Sequence, residues 1–141
     1  MNKGELPVNC EGHLLNPVNM TSFPNIFALD KGTGYFSPDE YACNAVEFPE
    51  NKYETTTELV GRTIAFLNLN CERIAEKRRL LIINIDRNKK ALRLRGIPPN
   101  EVSDKLVDRY FIKEWPEFFT TLRCCIGAPV EEYLKAAGYQ G

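Results

Sequence analysis

Nine of the chain's eighteen lysines and arginines fall between residues 73 and 95: Arg73, Lys77, Arg78, Arg79, Arg87, Lys89, Lys90, Arg93 and Arg95. Only Glu76 and Asp86 oppose them, so the stretch carries a net charge of +7 in a chain that is −1 overall. The 72 residues before it are net −6, and the residues from 96 onward are net −2. A concentrated positive segment on an acidic chain is a local site for an anion, because overall charge cannot be the attractant. Arginine forks match phosphate oxygens bidentately, and lysines add point charge. The fitting partners are a nucleotide, a nucleic-acid backbone or an acidic protein surface. The expected ligand-binding set is Arg78, Arg79, Arg87, Lys89, Lys90, Arg93 and Arg95. The bland counterpart is a solvated helix end with lysines guarding an edge strand. Residues 73–95 contain no Phe, Tyr or Trp, so stacking on bases would have to come from Tyr35, Phe36 or Tyr110. Backbone contact needs no such ring.

Other reactive residue types are present without a complete pattern. Cys10-x-x-His13 has the spacing of half a metal site, with Cys43 and Cys71 as conceivable further ligands, but a second close pair is missing. No metal and no cofactor are therefore expected. His13 is the single histidine, so any nucleophile–histidine mechanism would have to use it, with Cys10, Cys43, Cys124 or a serine. Gly32-Thr33-Gly34 is too short for a phosphate loop. Asp39 and Glu40 could serve carboxylate chemistry, or they could simply be charge at a helix start. Cys124-Cys125 is a vicinal pair, read as packing rather than as a redox switch. Asn19-Met20-Thr21 matches a glycosylation acceptor, which means little without secretion. No catalytic set is expected.

These residues need elements to position them. Residues 1–53 read as an irregular, β- and turn-rich arm interrupted by Pro7, Pro17, Pro24, Pro38 and Pro49. Asp30–Gly34 reads as a hairpin loop, and Ser37-Pro38-Asp39-Glu40 as the start of a short helix up to Asn44. Thr55 and Glu58 form a capping-box pair opening a helix over 56–79, with Val60, Ile64, Leu67, Cys71 and Ile74 on one face. Leu80–Ile85, apolar except for Asn84, is expected as a strand buried on both faces. Asp86–Lys90 is expected as a turn, and Ala91–Ile97 as the returning strand, so that Arg93 and Arg95 project together. Pro98-Pro99 ends that hairpin. Val102, Leu106, Tyr110 and Phe111 predict a helix. Another follows Pro116, and a last one runs from Pro129 to Gly138.

The expected fold class is α+β: a small antiparallel sheet packed against a long amphipathic helix, with short C-terminal helices. A length of 141 residues predicts one domain over 1–141, comprising the arm and then helix, hairpin and helices over 54–141. No apolar run approaches the roughly 20 residues of a membrane span. The lack of a secretory pattern predicts a cytoplasmic protein with reduced thiols. The dense aromatics Tyr110, Phe111, Trp115, Phe118 and Phe119 suggest a core with a possible second surface. Consecutive Phe118 and Phe119 cannot both enter one core from a helix, which hints at a homodimer. The leading functional expectation is a non-enzymatic binding or regulatory protein with an anionic, phosphate-bearing partner. The alternatives are a small protein–protein inhibitor of the immunity or anti-defence type, and a small enzyme using carboxylates or cysteine.

Overall fold

Asp30 turns the chain back on itself. Its carboxylate accepts from the Gly32 and Thr33 amides at 2.8 and 3.0 Å, and Gly34 closes the loop with φ +74°. The flanking strands β1 (Phe27–Leu29) and β2 (Phe36–Pro38) pair antiparallel, Phe27 opposite Pro38 and Leu29 opposite Phe36. The computed structural model describes residues 11–16, 20, 22–112 and 116–139. Cys10, Asn19, Thr21 and Trp115 lie outside the described residues.

Helix α1 (Glu40–Asn44) follows directly, capped by Asp39, whose carboxylate accepts from the Ala42 amide at 3.1 Å. The cap is thus Asp39 and not Ser37, because Pro38 still belongs to the strand. Thr55 caps α2 (Thr56–Phe66) as expected, accepting from the Glu58 amide at 3.1 Å. That helix stops at Phe66, short of the expected 79. Asn68 takes a left-handed φ of +52°, a conformation asparagine tolerates better than most residues.

The largest correction concerns residues 72–97. Here the chain forms one 23-residue helix, α3 (Glu72–Leu94), with no hairpin. Leu80 and Ile83 are 61% and 47% exposed, so the apolar run is not buried on both faces. The buried positions are Ala75, Arg78, Ile82 and Ile85, at spacings of three, four and three. A helix-period face outcompetes the strand reading, and the polar stretch 86–90 becomes ordinary helix surface. The end of α3 is marked by Gly96 at φ +79°. Its amide donates to the Arg93 carbonyl at 3.0 Å, and that of Ile97 to the Leu92 carbonyl at 3.2 Å. This is a Schellman closure, for which glycine is suited because it has no Cβ to strain.

Pro98 and Pro99 then begin α4 (Pro99–Tyr110), and α5 (Phe119–Ile126) and α6 (Ala128–Ala136) complete the chain. Two apolar clusters hold these elements. One joins Ile82 and Ile85 of α3 to Val102, Leu106 and Val107 of α4, Leu122 of α5, and Val130 and Leu134 of α6. The other joins Ile26, Ala42, Cys43, Val46 and Phe48 to Leu59, Val60 and Ile64 of α2. Among the described residues a two-stranded antiparallel sheet with six helices makes the fold α+β. Among the described residues no helix is long and apolar enough to cross a membrane.

Candidate functional site

The seven expected cations do not act alike once placed on α3. Arg78 is 4% exposed and turned inward. Its guanidinium donates to the Gly34 carbonyl at 3.0 Å and the Leu69 carbonyl at 2.5 Å, with Asn70 Oδ1 at 3.4 Å. Its Cζ stands 4.0 Å from the centre of the Phe36 ring. Burial lowers its pKa, but the group keeps its charge, satisfied by carbonyls instead of a carboxylate. Asn70 completes the joint, accepting from the Phe36 amide at 2.7 Å and donating to the Phe36 carbonyl at 2.9 Å. Arg78 therefore clamps α3 to the hairpin, and its expected place on a binding surface is corrected.

Arg79 is committed as well. It donates to the Thr33 carbonyl at 2.6 Å and pairs with Glu72 at 2.5 Å. The hydrogen bond from Arg79 holds the Glu72 carboxyl below its usual range, and Glu72 in turn raises the Arg79 pKa. The remaining five are different. Arg87, Lys90, Arg93 and Arg95 are exposed and Lys89 is half-buried. None makes a side-chain hydrogen bond or ion pair among the described residues. On a helix of about 100° per residue, Arg93 and Arg95 point nearly opposite ways, whereas a strand would have aimed them together.

Arg95 instead faces α4. A cleft of about 260 Å³ between α3 and α4 is lined by Asn88, Ala91, Leu92, Arg95, Lys105, Leu106 and Arg109. Lys105 and Arg109 are four apart, hence on one side of α4. The two helices are locked beside the cleft by Asn88, whose amide donates to the Tyr110 hydroxyl at 2.7 Å and to Asn84 Oδ1 at 3.2 Å. The Tyr110 hydroxyl donates in turn to Asn84. Lys105 and Arg109 belonged to no expected site, since the hairpin reading gave no reason to bring α4 beside Arg95.

The other candidate groups have structural employment. Cys43, Cys124 and Cys125 are free thiols whose pKa values burial raises, to about 11 at Cys125. Cys124 donates to the Phe27 carbonyl at 3.5 Å and accepts from Asn25 at 3.4 Å. Asp39 caps α1. His13 packs edge-on against Tyr53, with ring centres 5.8 Å apart. Among the described residues no group of three or more His, Cys, Asp or Glu is placed to hold a metal ion. Phe119 packs against Phe111 at 5.9 Å between ring centres, and Phe118, left-handed at φ +57°, is partly buried within the same chain. The geometric reason for expecting a second copy is removed.

No family model and no solved structure matches the chain. One curated relative does, a protein of Escherichia coli named "Retron Ec83 putative HNH endonuclease". The two are 28% identical over 116 residues, covering 79% of this chain. The chain spans 41% of that relative's length. The relative carries an enzyme's name, and this overturns the expectation of a non-enzymatic binding or regulatory protein.

Proposed function

We propose that the protein is a nuclease acting on the phosphodiester backbone of nucleic acid, and that α3 supplies cations that hold the backbone. The observation carrying this reading is the likeness, across 79% of the chain, to the protein that carries the retron endonuclease name given above. The cations Arg87, Lys89, Lys90, Arg93 and Arg95, unpaired among the described residues, support it independently, since phosphate contact is what their chemistry fits. The partner class narrows from anions in general to nucleic acid.

This chain holds a single histidine, His13. The role proposed for α3 is substrate holding within an enzyme. The test is cleavage of end-labelled DNA and RNA by the full-length protein, with magnesium or manganese supplied. Cleavage is expected. Neutralising Lys90, Arg93 and Arg95 together should weaken it mainly through KM, because holding acts before chemistry. Absence of cleavage of every substrate by the unaltered protein contradicts the reading.

A further inference from the structure

We infer that the cleft between α3 and α4 is the seat of one phosphate group of a nucleic-acid strand, gripped by Arg95, Lys105 and Arg109. This rests on the nuclease reading and deepens it by assigning the contact to particular residues. Three cations converge on the cleft, Arg95 from the C-cap of α3 and Lys105 and Arg109 from α4, and no carboxylate is among its lining residues. The acids of α4, namely Glu101, Asp104 and Asp108, are not part of the lining. Neither Arg95, Lys105 nor Arg109 makes a side-chain hydrogen bond or ion pair among the described residues. Asn88 uses its amide hydrogens on Asn84 and Tyr110, so the free donors here are the three cations.

Size and floor decide what kind of anion fits. About 260 Å³ falls below the roughly 300–1,000 Å³ of sites that enclose a whole drug-sized ligand. The space suits a phosphate with its sugar, and Ala91, Leu92 and Leu106 give the sugar an apolar floor. The grip is also held in place. The Schellman closure at Gly96 fixes the backbone of Arg95, and the Asn84–Asn88–Tyr110 bonds fix the distance between the helices. A phosphate ester could arrive on a strand or as a free nucleotide; the strand is the occupant proposed.

The experiment compares two pairs of substitutions with equal loss of charge in the otherwise unaltered full-length protein. Lys105→Gln with Arg109→Gln empties the cleft, while Arg73→Gln with Lys77→Gln strips exposed cations from the other end of α3. All four side chains are exposed, so both variants should fold. Binding of a labelled single-stranded oligonucleotide is read by anisotropy across a salt series. The cleft pair should lose roughly tenfold or more in affinity, the scale of charge-assisted contacts, and should flatten the salt dependence by about one phosphate contact. The other pair should lose only a few-fold by general field effects. Equal losses from the two pairs would overturn the seat in favour of diffuse attraction, leaving the nuclease reading intact. A nucleoside 5′-monophosphate that displaces the strand as strongly as unlabelled oligonucleotide would also overturn it, because a free nucleotide would then be the occupant. Displacement by the monophosphate or by inorganic phosphate only at far higher concentration supports the strand. No binding of the oligonucleotide by the unaltered protein would overturn the seat, while cleavage of end-labelled DNA or RNA decides the nuclease reading separately.

Discussion

The side-chain amide of Asn88 on α3 donates to the hydroxyl of Tyr110 on α4 at 2.7 Å, bridging the helices along one side of the cationic cleft. The same hydroxyl donates to Asn84, so one oxygen joins two turns of α3 to the end of α4. Tyr110→Phe removes both bonds while keeping the ring. The expected loss is about 1 kcal/mol, since each bond exchanges with water and the site is partly exposed. Urea denaturation would measure it, and an unchanged midpoint would show that apolar packing alone sets the helix pair.

Arg78 and Arg87 lie nine residues apart on one helix but do unrelated work. Arg78→Ala strips donors from the Gly34 and Leu69 carbonyls and empties the space over Phe36. It should cost about 3 kcal/mol, as breaking a buried network does. Arg87→Ala on the solvated surface should stay within about 0.5 kcal/mol of the unaltered protein, and should instead weaken nucleic-acid binding. Paired denaturation and binding curves separate the two roles, and a reversal of the two effects would refute the assignment.

Two glycines with similar backbone angles make a further contrast. Gly34 has φ +74° and Gly96 has φ +79°. A Cβ on Gly96 would meet nothing within 4 Å, so Gly96→Ala should cost only the left-handed backbone penalty, about 1 kcal/mol. A Cβ on Gly34 would collide with the Ala75 carbonyl of α3, so Gly34→Ala should cost clearly more and loosen the hairpin from the helix. Thermal denaturation of the two variants should rank them in that order.

The buried thiol of Cys125 gives a pH dependence with a definite sign. Burial raises its pKa from 9.0 to about 11 in the folded chain. Between those values the unfolded chain has lost the proton and the folded one retains it. Stability should be unaffected by this group below pH 9.0 and should fall as pH rises toward about 11. Cys125→Ala should make that decline shallower, as measured by urea midpoints across the range. An equally steep decline would assign it to other groups.

The helices that begin with a chemical signal were legible in the sequence. Thr55 with Glu58 located the start of α2, the stripe Val102, Leu106, Tyr110 and Phe111 located α4, and Pro116, Gly127, Pro129 and Gly138 bracketed α5 and α6, because such signals act within a few residues. The Asp30–Gly34 hairpin was legible for the same reason. The segment from Leu80 to Ile97 misled, because a short apolar run reads equally well as strand or helix. Two signals pointed the right way: Gly96 followed by Pro98-Pro99 is a helix terminus, and Ile82, Ile85 and Leu92 sit at helical spacing. The break at Asn68 was hidden by a face that continues through Cys71 and Ile74. The binding set suffered in consequence. Which cations are free depends on carbonyls and neighbours brought in from afar, such as Gly34 for Arg78 and α4 for Arg95. Residue type and spacing do not carry that information.

The proposed hold on nucleic acid is by its phosphates, through the cations of α3 and the adjoining face of α4. Its most direct test is the affinity of the unaltered protein for a labelled duplex, titrated between roughly 50 and 200 mM salt. Each phosphate contact contributes about −0.9 to the slope of log affinity against log salt, so three to five contacts predict roughly −2.7 to −4.5. A slope near zero, or no binding at the lowest salt, would contradict the claim.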